Sequence, residues 1–124
     1  MNATPWRGRR VMVTGHTGFK GAWLTAWLRA VGAEVTGLAL EPATTPDLFS
    51  LLDLAHSVEH VVADVRDRAA VGRAIARARP EMIFHLAAQA FVRTAYAQPL
   101  ETFATNVMGT ANVLDAARGV DVAA

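Results

Sequence analysis

The sequence predicts an α/β domain built as a doubly wound parallel sheet with helices on both faces. Short apolar runs rich in β-branched residues alternate with longer helical patterns along the whole chain, which is typical of strands and helices that follow one another in turn. The first apolar run ends in a glycine-rich turn that opens directly into a helix. We therefore expect right-handed crossovers and the strand order 3-2-1-4, with the first strand central.

Two strands and a helix account for the first part of the chain. Residues 9–14 form a short apolar strand suited to a buried parallel sheet, and residues 33–40 form the second strand. The helix between them spans residues 19–31 and ends before Gly32. Its inward face is expected to carry the apolar residues Phe19, Ala22, Trp23, Ala26, Trp27 and Ala30.

Two aspartates mark the starts of the next helices. Residues 41–46 contain two prolines and break regular structure, and Asp47 then caps a short helix that runs through Leu54. Residues 58–63 form the third strand. Asp67 caps a helix that Pro80 stops, and its inward residues are Val71, Ala74, Ile75 and Ala78.

The last part of the chain predicts one more strand and one long helix. Residues 82–88 form the fourth strand, residues 89–98 form a loop, and Pro99 starts a helix that Gly119 ends. The inward residues of this helix are expected to be Leu100, Phe103, Val107, Met108, Ala111 and Leu114. We expect the sheet to be truncated after this helix, which would leave the fourth strand as an unprotected apolar edge.

Glycines at every third position follow the first strand. A strand, a glycine turn and a helix in this order form the Rossmann-type unit that holds a nucleotide pyrophosphate. Gly15 allows the sharp turn, Gly18 allows the backbone to approach the phosphates, and Gly21 allows close packing of the helix. The alternative is a tight strand-to-helix turn without a ligand.

Two further strand ends are expected to meet the cofactor, because ligands of such sheets bind at the carboxyl ends of the strands. Asp64 can accept a hydrogen bond from the adenine amino group while Val65 packs on the ring; alternatively, Asp64 only caps the following turn. The small residues in Leu86-Ala87-Ala88 allow a ribose and phosphates to come close, although tight packing alone would explain them equally well.

The residue that discriminates between cofactors is less clear. Ala39 stands where this fold usually has an acid, about 20 residues beyond the glycines, to bind the ribose hydroxyls. Glu41 is the nearest substitute, and no arginine stands there to favour a 2′-phosphate. NAD is therefore favoured over NADP. Lys20 could place its ammonium near a phosphate or could be a solvated lysine, and His85, in mid-strand, is expected to be a buried neutral histidine.

Composition excludes several other functions. The chain is 52% hydrophobic and 19% charged with a net charge of +1, which is ordinary for a globular domain and gives no indication of nucleic-acid or membrane binding. Without cysteine there is no disulfide or thiolate metal site, and no metal site is expected. No secretion signal opens the chain, so the cytoplasm is expected. With one lysine, Lys20, and one tyrosine, Tyr96, the chain cannot supply a Tyr-x-x-x-Lys pair.

Several segments together resemble a known family, the extended short-chain dehydrogenase/reductases. The matching segments are residues 14–21, 64–67, 85–89 and 105–110. More specifically, residues 15–24, 37–42 and 99–106 resemble the CDP-glucose 4,6-dehydratases. That resemblance implies oxidation of C4 of CDP-glucose by hydride transfer to bound NAD. Elimination of water across C5 and C6 and return of the hydride to C6 then give CDP-4-keto-6-deoxyglucose for deoxysugar synthesis.

The resemblance also implies a set of cofactor-binding residues. These are Gly15, Thr17, Gly18, Phe19, Lys20, Gly21, Asp64, Val65, Leu86, Ala87, Ala88 and Thr105. Asn106 would be mainly structural. The chain departs from the family at Thr94-Ala95-Tyr96, where the family has Arg-Ser-Tyr.

The resemblance covers nearly the whole chain but only the N-terminal third or so of such an enzyme. Residues 1–124 are thus interpreted as a partial NAD(P)-binding domain without the nucleotide-sugar lobe, which in the whole enzyme would bind CDP-glucose. The catalytic Tyr-x-x-x-Lys helix would lie beyond residue 124, so no catalytic residue is assigned and the chain alone is expected to be inactive. The family implies a homo-oligomer. The alternatives are another sugar-nucleotide dehydratase or epimerase, or a non-catalytic dinucleotide-binding module.

Overall fold

The computed structural model describes residues 5–124, and its centre is a parallel four-stranded sheet. The strands are β1 (Arg10–Thr14), β2 (Glu34–Ala39), β3 (Glu59–Val62) and β4 (Met82–His85). Their order is β3-β2-β1-β4 and all neighbours are parallel, so the predicted fold class and strand order are confirmed. β1 has a neighbour on each side, and the glycine turn follows its carboxyl end.

In the described part of the chain, six α-helices connect and extend the strands. They are α1 (Phe19–Ala30), α2 (Leu48–Leu51), α3 (Arg68–Ala78), α4 (Val92–Ala97), α5 (Pro99–Phe103) and α6 (Gly109–Ala117). A 3₁₀ turn, Leu54–His56, follows α2, and a π-helical segment, Ala104–Met108, joins α5 to α6. Within residues 5–124, no helix has both the length and the apolar character that crossing a membrane would require.

Both faces of β1 are buried, because neighbouring residues of a strand point to opposite sides of the sheet. Val11 and Val13 pack with Leu28 of α1 on one face. Met12 packs on the other face with residues of α3 that include Ile75. Each of these side chains is fully buried and contributes roughly 1.5–3 kcal/mol to folding. The apolar run of the first strand therefore holds the two helical layers together.

Helix α1 turns a different face to the sheet from the one predicted. Its buried residues are Gly21, Ala22, Thr25 and Leu28, whereas Phe19, Trp23 and Trp27 are largely exposed. Small residues let the helix axis approach the sheet closely, and two indole rings would not fit in that gap. Trp27 instead packs edge-on against Trp6, with the ring centroids 6.3 Å apart.

The last helical region also differs from the prediction, both in continuity and in its inward face. It is divided into α5, the π-helical segment and α6. Buried positions in α6 are Gly109, Asn112 and Val113. A Cβ on Gly109 would lie 2.6 Å from Val65 Cγ2, so this glycine sets the rotation of the helix against the sheet. The apolar residues predicted to face inward are all exposed: Leu100, Phe103, Val107, Met108, Ala111 and Leu114.

Aspartate caps begin α2 and α3 as predicted. The Asp67 carboxylate accepts a hydrogen bond from Ala70 N at 3.0 Å, and the predicted residues of α3 face inward. Asp47 accepts from Ser50 N at 2.8 Å. The helix after Asp47 ends at Leu51 rather than Leu54, because Asp53 has a φ of 50° and interrupts it.

Three expectations for β4 and the region after it were wrong. Residues 89–98 contain α4 and are not a simple loop, and the strand ends at His85. Residues near Ala124 lie along the outer edge of β4, where Ile83 N donates to Ala124 O at 2.9 Å and Ala123 N donates to Glu81 O at 2.8 Å. The amino-terminal half of this edge is therefore covered, contrary to the prediction of an unprotected strand.

Candidate functional site

A cavity of about 580 Å³ lies at the carboxyl ends of the four strands, and its size is typical of small-molecule and cofactor sites. Ten of the twelve predicted cofactor-binding residues line it. They are Gly15, Thr17, Gly18, Phe19, Asp64, Val65, Leu86, Ala87, Ala88 and Thr105. A second cavity of about 520 Å³ lies at the opposite end of the sheet and contains none of the predicted residues.

The glycine turn brings β1 against the end of β4. Gly15 has a φ of +78°, and a Cβ built on it would lie 2.7 Å from Ala87 N. Both the backbone angle and the close approach therefore require glycine at this position. The contact places the turn directly beside Ala87, which also lines the cavity.

The other two glycines of the turn differ in what surrounds them. A Cβ on Gly21 would lie 2.0 Å from Gly15 O, so Gly21 packs α1 against the turn itself. Gly18 has a φ of −79°, and the nearest atom to its Cβ would be Gly15 O at 3.4 Å. Neither the backbone conformation nor the packing of this chain requires glycine at position 18. What its missing side chain leaves open is the cavity.

Helix α1 begins at the cavity, with Gly18 at its N-cap and Phe19 as its first residue. The N–H groups of the first turn have no acceptor within a helix, and the helix dipole adds partial positive charge at this end. No acidic residue lies in the first turn. The amino end of α1 is thus suited to an anionic group such as a pyrophosphate. Lys20 is exposed just beyond the lining, and Gly21 is buried behind it.

The segment after β2 forms one wall of the cavity. Ala39, Leu40 and Glu41 line it, and Thr17 Oγ1 donates a hydrogen bond to Leu40 O at 2.8 Å, which ties the wall to the glycine turn. Ala39 carries no acceptor, so Glu41 supplies the carboxylate of this wall.

Asp64 at the end of β3 is held by Arg66. Its Oδ1 accepts from Arg66 N at 2.9 Å, and its Oδ2 accepts from the guanidinium Nη2 at 2.7 Å. Arg66 Nη1 also bonds to Glu101 of α5. The Arg66 guanidinium beside it keeps the pKa of the Asp64 carboxyl below its usual range. Asp64 is therefore an ionised acceptor at neutral pH, and Arg66 neutralises its charge.

A π-helical segment also contributes to the cavity wall. Thr105 lies in it and lines the cavity; such interruptions of α-helices are frequent at functional sites. Asn106 Oδ1 accepts from Gln89 N at 2.8 Å, and Asn106 Nδ2 donates to Gln89 O at 3.0 Å. Asn106 thus clamps the backbone that leaves β4, in agreement with its predicted structural role.

His85, predicted to be buried and neutral, is half-buried and has partners on both ring nitrogens. Nδ1 lies 2.6 Å from Thr14 Oγ1, and Nε2 lies 3.0 Å from Thr110 Oγ1. Burial lowers the pKa of its imidazole, which favours the neutral ring. His85 therefore links β1, β4 and α6 beneath the cavity.

His16, inside the glycine turn, is fully buried. Its Nε2 lies 2.7 Å from His60 Nδ1, and its ring packs edge-on against Phe49. Burial, with a smaller contribution from His60, lowers the pKa of His16 to about 4. Among residues 5–124, no three His, Asp or Glu side chains are grouped so that they could hold a metal ion.

Part of the cavity wall was not anticipated from the sequence. Ala39 and Glu41, which the sequence had placed near the ribose, also line the cavity, together with nine residues that were not named: Leu40, Ala43, Thr44, Pro46, Asp47, Leu48, Ala63, Arg66 and Phe91. The rest of the segment after β2 could have been inferred, because it leaves the carboxyl end of a strand beside the glycine turn. Phe91 gave no such signal, since it lies beyond β4 in what was predicted to be a loop.

Comparison with known proteins gives a consistent result. Residues 12–124 match the family model described as GDP-mannose 4,6 dehydratase. The chain is 49% identical over 115 residues to the CDP-glucose 4,6-dehydratase of Salmonella typhimurium, which covers 93% of this chain and 32% of that protein. It is 38% identical over 110 residues to the UDP-glucose 4-epimerase of Mycolicibacterium smegmatis, covering 88% of this chain and 34% of that protein.

A solved structure with the same fold is the UDP-glucose 4-epimerase of Thermus thermophilus in complex with NAD. It superposes with a TM-score of 0.78 at 34% sequence identity, covering 89% of this chain and 34% of that one. The chain thus spans about a third of the length of the curated relatives it matches.

Proposed function

This chain belongs to the GDP-mannose 4,6 dehydratase family, and we propose that it forms the cofactor-binding part of a CDP-glucose 4,6-dehydratase with NAD as the cofactor. Gly18 is the observation that carries this proposal. The protein itself has no need of glycine there, so its absent side chain is explained by a ligand that approaches the backbone at the amino end of α1. A pyrophosphate is the ligand suited to that end of a helix.

The twelve predicted cofactor-binding residues fall into three groups along the dinucleotide. Gly15, Thr17, Gly18, Phe19, Lys20 and Gly21 would form the pyrophosphate end, with Gly21 acting through the position of α1. Asp64 and Val65 would hold the adenine. Leu86, Ala87, Ala88 and Thr105 would lie along the ribose and phosphates.

Glu41 is proposed to select NAD over NADP. Its carboxylate lines the cavity after β2 and can accept hydrogen bonds from ribose hydroxyls, whereas it would repel a 2′-phosphate. Arg66, the arginine on the same cavity, already pairs with the carboxylates of Asp64 and Glu101. Its charge is thereby balanced, which leaves little to attract a third anion.

In the proposed reaction, NAD would supply the hydride acceptor for C4 of the sugar and the hydride donor for C6 after the loss of water. The contribution of this chain is to bind and orient the cofactor. Proton transfer in this family would need a Tyr-x-x-x-Lys pair, which the chain cannot form because its one lysine lies in the glycine turn. CDP-glucose as the substrate rests on the 49% identity to the Salmonella enzyme, and the cytoplasm is proposed as the compartment.

Titration calorimetry of the purified chain with NAD, NADP and CDP-glucose tests the proposal. We expect NAD to bind, NADP to bind more weakly, and CDP-glucose not to bind. Glu41→Gln should narrow the difference between NAD and NADP, and Glu34→Gln, at the other end of β2, is the matched control. A folded chain that bound neither dinucleotide, or preferred NADP, would contradict the proposed cofactor.

The coding DNA after the codon for Ala124 tests the proposal that this chain binds the cofactor while the catalytic residues lie in a following part of the protein. A continuation that encodes Tyr-x-x-x-Lys would support it. A stop codon directly after Ala124 would argue instead for a dinucleotide-binding module without catalysis.

A further inference from the structure

A connected series of hydrogen bonds runs beneath the cavity from β1 to α6, and its geometry determines where each proton lies. Thr14 Oγ1 receives two backbone N–H groups, from Leu86 at 3.1 Å and from Ala87 at 3.2 Å. A hydroxyl has two acceptor lone pairs and one proton. With both lone pairs occupied, the proton of Thr14 is left for His85 Nδ1, which lies 2.6 Å away.

The same reasoning continues on the far side of the ring. Because His85 Nδ1 accepts, the neutral imidazole carries its proton on Nε2. That proton is donated to Thr110 Oγ1 at 3.0 Å. The proton of Thr110 in turn goes to Asn106 O at 2.7 Å. Leu86 N also donates to the backbone oxygen of Thr14 at 3.1 Å, so Ala87 N is the amide whose hydrogen bond depends on the Thr14 hydroxyl. Among the partners of Thr14 Oγ1 within residues 5–124, His85 Nδ1 is the one that can accept its proton.

We propose that His85, held as the Nε2–H tautomer, is a positioning residue that orients the Thr14 hydroxyl and so fixes the carboxyl end of β4 against the glycine turn for cofactor binding. Without an acceptor at Nδ1, the hydroxyl of Thr14 would turn its proton elsewhere and weaken its bond from Ala87 N, whereas Leu86 N would keep its bond to Thr14 O. Leu86 and Ala87 line the cavity, and Ala87 N is the atom that a side chain at Gly15 would strike. A small displacement there changes the cavity wall itself.

The burial of His85 agrees with this assignment, since burial lowers the pKa of its ring and thereby disfavours a second proton on Nδ1. No titratable group bonds to either nitrogen; Thr14 and Thr110 are the two partners within residues 5–124. The cofactor part of the proposal rests on the proposed function, whereas the tautomer and the position of β4 do not.

Two variants of His85 distinguish the role of Nδ1 from the role of Nε2. The amide oxygen of asparagine can occupy the place of Nδ1, and the amide of glutamine reaches the place of Nε2. We expect His85→Asn to keep the Ala87 amide protected from hydrogen exchange and to bind NAD within about threefold of the unmodified chain. His85→Gln should expose the Ala87 amide and weaken NAD binding about tenfold, which is about 1.4 kcal/mol and within the range that one hydrogen bond contributes. The Leu86 amide, which also bonds to Thr14 O, should stay protected in both variants. His56→Asn, at an exposed histidine, is the control for the substitution itself.

Nuclear magnetic resonance of the unmodified chain with isotope-labelled histidine provides a readout that needs no variant. At neutral pH we expect His85 to carry its proton on Nε2 and not on Nδ1. The opposite tautomer, or equal protection of the Ala87 amide in the Asn and Gln variants, would overturn the proposal. If the unmodified chain failed to bind NAD, the proposed function would be contradicted, and the tautomer and the amide exchange would still decide whether His85 positions β4.

Discussion

The three glycines of the turn are needed for different physical reasons. Gly15 has a positive φ and lies against Ala87, and Gly21 lies against the carbonyl of Gly15. Both are required by the fold of the protein itself. At Gly18 a methyl group would meet only ordinary contacts within the protein. A side chain there is therefore expected to weaken the binding of a ligand and not the fold. Substitution can therefore separate folding from binding at one turn.

Gly18→Ala is expected to weaken NAD binding by tenfold or more while it changes the free energy of unfolding by less than about 1 kcal/mol. The backbone at residue 18 is in a region that alanine adopts freely. Calorimetric titration and chemical denaturation measure the two quantities.

Two other glycines serve as controls. Gly21→Ala should destabilise the fold by on the order of 2–3 kcal/mol, because the methyl group would overlap a backbone carbonyl. Gly72→Ala lies in α3 with open space around it and should stabilise the chain by about 0.5–1 kcal/mol. Equal losses of stability in the Gly18 and Gly21 variants would refute the distinction.

Buried His16 makes stability depend on pH. The folded ring has a pKa of about 4, against an ordinary value of 6.5, so between these values the unfolded chain takes up a proton that the folded chain does not. Above pH 6.5 the ring adds no pH dependence. As pH falls from 6.5 to 4, we expect the free energy of unfolding to decrease, by about 3 kcal/mol at most from this residue.

Urea denaturation between pH 7 and about 5 would measure this slope before the carboxylates titrate. His16→Gln should reduce it, and His56→Gln, at an exposed position, should leave it unchanged. A slope that persisted in full in the His16 variant would assign it to other groups, His85 among them.

At the scale of elements, the sequence predicted the two aspartate caps, the strand order and the inward face of α3 correctly, whereas it did not predict the faces that α1 and α6 bury. Asp47 and Asp67 cap helices because the short acidic side chain accepts a hydrogen bond from the backbone N–H three residues further on. This interaction depends only on local spacing. The face that α1 buries depends on how closely Gly21 lets the helix approach the turn. That distance is set by a residue of another element and cannot be read from helical periodicity.

Loss of the cap of α3 should be measurable. Asp67→Ala removes the acceptor of Ala70 N, and we expect it to lower the free energy of unfolding by about 1 kcal/mol. Asp67→Asn, which keeps a capping oxygen, should restore most of that stability. An unchanged denaturation midpoint in the alanine variant would show that the cap contributes nothing.

At the scale of the whole molecule, the fold brings the residues that line the cavity together at one edge of the sheet. The chain spans about a third of the length of the curated relatives it matches. The glycine turn, the wall after β2, Asp64 and the end of β4 come from four separate parts of the sequence. They meet because the carboxyl ends of parallel strands lie at one edge of the sheet. In the proposed function, these four parts supply the groups that bind the dinucleotide.

We expect this chain, incubated with NAD and CDP-glucose, to release no CDP-4-keto-6-deoxyglucose. The proposed site would bind the cofactor, but the one tyrosine, Tyr96, and the one lysine, Lys20, do not form a Tyr-x-x-x-Lys pair. Mass spectrometry would detect loss of one water from the sugar nucleotide. The Salmonella typhimurium enzyme is the positive control, and product formation by this chain alone would refute the proposal that the catalytic residues lie in a following part of the protein.

The sequence by itself determined the strand order and the two helix caps, because these follow from local spacing and from the order of the elements. The rule that ligands meet the carboxyl ends of parallel strands indicated seven residues of the cavity wall, which are Gly15, Gly18, Asp64, Val65, Leu86, Ala87 and Ala88. Thr17, Phe19 and Thr105, which also line the cavity, were implied by the family resemblance. Only the tertiary structure decided which faces α1 and α6 bury, that Arg66 holds Asp64, and that His85 joins Thr14 to Thr110. These depend on distances between elements far apart in the chain. At Gly21 and Gly109 such distances are set by a single missing Cβ, which no periodicity within one helix records.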